Sequence, residues 1–400
     1  MAAVLTSVKE APGRSLWGLP PRLWLMTFGH AVIDSNPALV FALVPVIVAH
    51  LHIDFTRAGA LVTLLLLTSS ITQPVFGVIQ DRRPRLPLAS AGLLVAGSAM
   101  AATGFASTYA QTALLVFVAG LGIAAFHPQA VAQAARASDG RSAWGIAVFF
   151  TGGSTGTAIM SLVIVPLAAA YGPRATLVAI VPAVLTAALF ARTKPSSMPG
   201  DGGQTDRRSM VAPLRAVAFP LSMLLSISIL RSAVLTAYLA FLPALVTYRT
   251  GSLAVGGATL AAFLIAGSLG ALVGGAVAQA FGSTRVVIVS LVTGFLGLLP
   301  VPWLPAGVLV PWVFVAGVLM FASEAQVTTL AQRLLPALVG VASSLMMGVG
   351  LGLGNIGALI AGAIADRRGI PFALTVLTFL LAGAAVAAIA YAASMRQARA

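Results

Sequence analysis

The sequence predicts an all-α integral membrane protein with twelve transmembrane helices in two six-helix bundles. Three observations predict it. First, 59% of the residues are hydrophobic and 8% charged, with a mean hydropathy of +1.01, whereas soluble domains carry about 25% charged residues. Second, the apolar runs are rich in Leu, Ala, Val and Gly. They are long enough to cross a bilayer as helices, which take about 20 residues each, and too long for barrel strands. Third, one long polar stretch, RTKPSSMPGDGGQTDRRSMVAPLR at 192–215, divides the chain into two sets of six runs.

Taken in order, residues 1–21 form a short basic tail with Lys9 and Arg14, followed at once by Arg22. Spans are predicted at 22–49, 58–80, 86–106, 112–135, 142–170 and 175–192, so the N-terminal bundle covers 22–192. Residues 193–215, rich in Pro, Gly and Ser, read as a flexible cytoplasmic linker. The second set lies at 216–247, 253–281, 286–304, 307–332, 339–365 and 370–394, a C-terminal bundle over 216–395, with a tail at 396–400.

The net charge of +14 belongs to topology. No basic run exceeds two residues, so nucleic-acid binding is not expected. With both termini cytoplasmic, seventeen Lys and Arg fall on that side and only Arg57, Arg174, Arg249, Arg367 and Arg368 on the other. This is the distribution the positive-inside rule requires. The chain has no cysteine, which excludes disulfides, thiolate catalysis and Cys metal sites. The first apolar segment is too long for a signal-peptide core and is interrupted by Asp34.

The two halves read as repeats about 198 residues apart. Gly77-Val-Ile-Gln-Asp81 answers Gly275-Ala-Val-Ala-Gln279. Gly152-Gly-Ser-Thr-Gly156 answers Gly350-Leu-Gly-Leu-Gly354, and Glu324 falls opposite Phe126-His127. Parallel six-helix repeats related by an axis along the membrane normal are the plan of the major facilitator fold, in which substrate binds between the halves near the midplane.

Ionisable residues inside the spans are few: His30 and Asp34 in the first, His127 in the fourth, Arg231 in the seventh and Glu324 in the tenth. A charge in hydrocarbon persists only where it faces a partner or water, which makes each a functional candidate. His30 and Asp34 are four apart and share a helix face. The plainer reading is a static ion pair of Arg231 with Asp34 or Glu324 that holds the halves in register. The functional reading makes Asp34 and Glu324 proton carriers, with Arg231 as counter-charge and partner of a substrate anion. His30, His127, Gln129 and Tyr238 are then expected in the substrate-contacting wall. His127 has a second reading, since Pro128 frees the carbonyl of Ala124 and the ring could satisfy the loosened backbone. His50 and His52, in the first outer loop, are expected to be solvated.

Gly77, Asp81, Arg82 and Arg85 form a short-loop motif between spans 2 and 3. The glycine permits close helix approach, and the acid can meet a helix N-terminus or a basic partner; making and breaking that contact would gate the cytoplasmic side. The second copy carries Gln279 in place of the acid, so the gate is expected to be asymmetric. The Gly runs of spans 5 and 11 lack a Walker lysine and a preceding strand, so no nucleotide site is expected. No metal site, catalytic triad or cofactor is expected either.

These residues resemble the fosmidomycin-resistance type of the major facilitator superfamily. The matching strings are Gly29-His30-x-x-x-Asp34 with Pro45, Gln73-Pro74-Val-x-Gly77-x-x-x-Asp81, and Gly120-x-Gly-x-x-x-Phe126-His127-Pro128. Gly152-Gly153-x-x-Gly156, Leu230-Arg231-Ser232, Ala331-Gln332-x-Leu-Leu-Pro336 and Gly362-x-x-x-Asp366 complete the set, which spans essentially the whole chain. The resemblance implies twelve helices, an inner-membrane location and export of a drug or metabolite driven by proton entry. Gln129 and Arg333 stand where relatives of this type carry Glu, which removes two possible proton carriers. The expectation is a proton-coupled antiporter of a small organic compound or drug, anions included. A symporter or facilitator importing a metabolite, and a receptor or scaffold of the same fold, are the rivals. An enzyme is not expected.

Overall fold

The computed structural model describes residues 19–83, 85–137, 142–192, 214–215 and 217–397, and among them every regular element is helical. Lys9, Arg14, residues 193–213 of the expected linker, Arg399 and the side chain of Asp81 lie outside what is described.

The first half contains α1 (Pro21–Leu51), α2 (Phe55–Arg82), α3 (Leu88–Thr103), α4 (Tyr109–Ala137), α5 (Ser142–Tyr171) and α6 (Ile180–Ala191). The second begins with α7 (Ala218–Thr250), α8 (Leu253–Phe281) and α9 (Ser283–Leu298). Its tenth span is α10 (Ala306–Phe321) followed by α11 (Glu324–Leu334). Its eleventh is α12 (Val339–Ser344), a π-helical stretch Leu345–Gly350, α13 (Leu351–Gly354) and α14 (Gly357–Arg368). The chain closes on α15 (Ile370–Gln397). Among the described residues ten segments are long and apolar enough to cross a membrane. One of them, Val148–Ala191, has 44 residues and is two crossings, α5 and α6, joined where Gly172 turns at φ 60°. With the shorter apolar helix α3, the crossings among the described residues number twelve.

Local chemistry sets several boundaries. Asp54 caps α2 by accepting from the Arg57 N–H at 2.7 Å, and Ser252 caps α8 through the Val255 N–H. Prolines sit inside α1, α2, α4, α5, α7 and α10, which neighbouring helices and side chains make tolerable in membrane spans. At Pro128 the α4 helix runs on without a break, and the ring of His127 donates to the Ile123 carbonyl at 2.8 Å. The tenth span is interrupted after α10, contrary to the single helix expected over 307–332. The Ala322 carbonyl at the interruption seats against Gly274 of α8, and Glu324 enters the first turn of α11, where a carboxylate meets the positive end of the helix.

In the first half α1 packs on α5 and α4, and α3 on α4 and α6; in the second, α7 packs on α15 and α14, and α10 on α8 and α9. The repeat is visible in backbone approaches. Gly156 of α5 abuts the Ala31 carbonyl of α1, and Gly354 of α13 lies against Ser232 and the Ile229 carbonyl of α7. Both partner pairs are related by the 198-residue offset. A Cβ at either glycine would collide with the facing helix, so small residues set the depth of the crossing.

The halves meet through α2 against α14, α5 against α8 and α1 against α7. Gly59 of α2 abuts the Ala358 carbonyl, and Gly257 of α8 lies under the Ser161 carbonyl of α5. These contacts cluster at the end away from the chain termini. There Thr63 donates to the Asn355 carbonyl at 2.8 Å, and the Phe55 ring packs edge-on against Phe241 and Tyr248. Toward the terminal end, by contrast, three glycines face open space. A Cβ on Gly77, Gly275 or Gly348 would meet nothing within 4 Å.

Candidate functional site

The first cluster is built on α1, α4 and α5. His30 and Asp34 share one face of α1, and His127 reaches them from α4. His30 Nε2 lies 3.0 Å from Asp34 Oδ2, and His127 Nε2 lies 3.4 Å from Asp34 Oδ1. The other nitrogen of each ring donates to backbone: His30 Nδ1 to the Phe149 carbonyl at 2.7 Å, His127 Nδ1 to that of Ile123. The His30 ring stacks on Phe149, with centroids 4.2 Å apart at 13°, and has Phe150 at its edge. Gly153 of α5 passes directly over the cluster. Any side chain there would meet Asp34 Oδ2 and the His30 ring. His30 is 3% exposed, His127 16% and Asp34 27%. The ligand-capable atoms of the three lie within 4.8 Å of one another, close enough to converge on a cation.

The second cluster joins α7 and α11. Arg231 is buried, and its Nη2 lies 3.7 Å from Glu324 Oε1, a carboxylate that is 39% exposed. Among the described residues two further guanidinium nitrogens, Nε and Nη1, are buried with no hydrogen-bond partner, as is the hydroxyl of Ser232, the next residue in the chain. Buried donors left unsatisfied cost about 1–3 kcal/mol each, and more when charged.

The two clusters are counterparts with reversed polarity. In the first half the acid is on the first span and its bases on the first and fourth. In the second the base is on the first span and the acid on the fourth. Of the two acids the sequence offered as partners of Arg231, the structure pairs it with Glu324, and Asp34 pairs with the two histidines.

Two expected wall residues are placed elsewhere. Gln129 is buried, accepts from the Ala89 N–H at 2.7 Å and donates to the Leu86 carbonyl at 2.9 Å. It therefore pins the start of α3. Tyr238 is buried in the second half, where its hydroxyl donates to the Leu298 carbonyl and meets the Thr378 hydroxyl, both at 2.9 Å. Both side chains are engaged by protein partners, with one N–H of Gln129 Nε2 to spare. Of the gating set, Gly77 faces open space and Arg82 and Arg85 are exposed. His50 lies near the Ala106 carbonyl at 3.3 Å, and His52 ends α1 at φ 50°.

The structure adds a contact that the sequence reading did not assign. Asp366 of α14 accepts from the backbone N–H groups of Phe55 and Thr56 at 2.8 Å each, and from the Thr56 hydroxyl. The string Gly362-x-x-x-Asp366 was the available signal, but its partners, two main-chain N–H groups and the Thr56 hydroxyl, belong to the other half.

A family model described as Major Facilitator Superfamily matches residues 23–354. The chain is 28% identical over 385 residues to an uncharacterized MFS-type transporter, YfnC, of Bacillus subtilis, covering 93% of this chain and 92% of that one. It is 26% identical over 372 residues to the fosmidomycin resistance protein of Escherichia coli, covering 90% and 89%. Among solved structures it resembles a point mutant of the nucleoside transporter NupG, with TM-score 0.77 at 13% identity, over 93% of this chain and 99% of that one. It also resembles a bacterial homologue of the human lysosomal transporter Spinster in an inward-facing, occupied conformation, with TM-score 0.76 at 14% identity, over 92% and 96%. With twelve apolar crossings in two repeats and a family match over most of its length, the chain belongs to the Major Facilitator Superfamily and is a multi-pass membrane transporter with the alternating-access fold.

Proposed function

We propose that the chain is a proton-coupled exporter of a small organic anion, resident in the inner membrane with both termini cytoplasmic. The observation that carries this reading is Arg231. It is a buried, permanently charged group with two unpartnered N–H donors and one loose pairing to a partly exposed carboxylate. A carboxylate or phosphonate of the substrate supplies the missing acceptors in the bidentate geometry a guanidinium favours. Its arrival displaces Glu324 from the guanidinium, and in an exchanger the coupling proton is released before the anion loads and taken up after the anion has left on the far side. Asp34 with its histidines supplies the proton-binding group of the other half. Export fits the name of the relative from Escherichia coli, and the charge asymmetry of the loops supports cytoplasmic termini. On that topology the open space beside Gly77 lies toward the cytoplasm, the side from which an exporter loads.

The test is transport in proteoliposomes with an imposed pH gradient and a panel of phosphonates and carboxylates. Uphill movement of an anion against the direction of proton flow is expected. Movement with the proton identifies the importer instead, and accumulation indifferent to the gradient removes proton coupling. Arg231→Lys is expected to weaken anion binding about ten- to a hundredfold, the loss of one or two charged hydrogen bonds.

A further inference from the structure

We infer that His30, Asp34 and His127 form one shared proton store with room for two protons, in which the imidazoles are the groups that load. The inference follows from counting hydrogens. A backbone carbonyl can only accept, so the bonds to Phe149 and Ile123 place a hydrogen on Nδ1 of both rings. A neutral ring of that tautomer presents a lone pair at Nε2. An ionised carboxylate also presents only lone pairs. Yet both Nε2 atoms face Asp34, one at each oxygen, at 3.0 and 3.4 Å. Lone pair against lone pair is repulsive in a site of low dielectric, so each contact calls for a hydrogen. A protonated Asp34 could donate only one. Two contacts therefore call for two hydrogens, and the loaded trio is imidazolium, carboxylate, imidazolium.

Loading takes two protons from water onto the two Nε2 atoms and carries the trio from a net charge of −1 to +1. Asp34 stays the shared acceptor. The groups that face the trio are few. The α1 helix contributes His30 and Asp34, α4 contributes His127, and α5 contributes Phe149, Phe150 and the bare Gly153. Among the described residues no other charged side chain is within ion-pair distance of the trio. Access is unequal. His127 and Asp34 retain exposure, while His30 is walled by Phe149, Phe150 and Phe126, so its proton passes through Asp34. The counterpart in the second half cannot store protons this way, because its base is an arginine.

The use of the store in transport rests on the proton-coupled reading above, but the store is testable without substrate. The full chain is purified in detergent with His50→Gln and His52→Gln, which leaves His30 and His127 as the remaining histidines of four. Ring ¹⁵N spectra are expected to show Nδ1–H tautomers for both at high pH and two linked protonation steps on acidification. Asp34→Asn, nearly isosteric, is expected to alter both steps together at an unchanged melting temperature. Proton uptake measured by pH-stat is expected to fall by one proton in His30→Gln or His127→Gln and by two in the double variant. An Nε2–H tautomer on either ring, steps that ignore residue 34, or unchanged uptake overturns the store. If these results hold while the proteoliposomes show no gradient-driven movement, the exporter reading fails and the store stands; the converse pattern leaves export standing without it.

Discussion

The carboxylate of Asp366, at the end of α14, caps the first turn of α2 in the other half by accepting from Thr56 at both its backbone N–H and its hydroxyl. The N–H of Phe55 completes the cap. An acid at a helix N-terminus is favourable locally. Here it also ties the two halves at the end where they are closed, and alternating access requires that tie to break. Asp366→Ala is therefore expected to shift the population toward the state open at the far end. A lost cap is worth about 0.5–2 kcal/mol, which corresponds to roughly a two- to thirtyfold change in the ratio of states. The chain has no cysteine of its own, so a single cysteine at Thr63 reports the change. Its labelling by a polar thiol reagent from the far side should accelerate by that factor, and an unchanged rate would mean the cap does not hold the gate.

Gly59 and Gly77 lie on the same helix and predict opposite behaviour. Gly59 abuts the Ala358 carbonyl where the halves are closed, and Gly77 faces empty space where they are open. A side chain at 59 has no room in this state. Overpacking of this kind costs about 1–3 kcal/mol, so Gly59→Val is expected to favour the far-end-open state. Gly77→Leu is accommodated here but obstructs closure at the terminal end. It should retain ligand binding from that end while turnover is lost, as counterflow and binding measured on the same preparation will show.

Gln129 and Tyr238 are expected to matter for stability and not for substrate. Gln129→Ala leaves the Ala89 N–H and the Leu86 carbonyl without their partner, a loss of about 1–3 kcal/mol. Tyr238→Phe removes the hydroxyl bonds to Leu298 and Thr378 at about 0.5–1.5 kcal/mol. Both should lower Tm in a thermal-shift assay with KM unchanged. A large change in KM from either would return it to the substrate wall.

Glu324→Gln separates its two proposed tasks. The variant keeps a hydrogen-bonding side chain near Arg231 but cannot bind and release a proton. Substrate exchange without a gradient should persist, while uphill transport falls at least tenfold. Uphill transport at the rate of the unmodified protein would remove Glu324 from coupling.

The spans, the repeat and the set of ionisable residues inside the membrane were legible in the sequence because each depends on local sums. Twenty apolar residues cross a bilayer whatever surrounds them, and a buried charge is conspicuous against hydrocarbon. The shared face of His30 and Asp34 was legible too, but not which acid Arg231 meets or that His127 reaches Asp34, since these depend on how each helix is rotated and on where a carbonyl such as that of Phe149 or Ile123 fixes a ring. Gln129 and Tyr238 read as pocket residues by type, and only packing showed their polar groups engaged with backbone and a buried hydroxyl. The Asp366 cap was hidden for a related reason: two of its three partners are main-chain N–H groups, which every residue but proline carries and no sequence pattern marks. Composition and periodicity alone determined that this chain is a twelve-span membrane protein. Tertiary structure decided which acid meets which base, which end is shut and which polar residues are free to act, because those follow from distances between helices far apart in the chain.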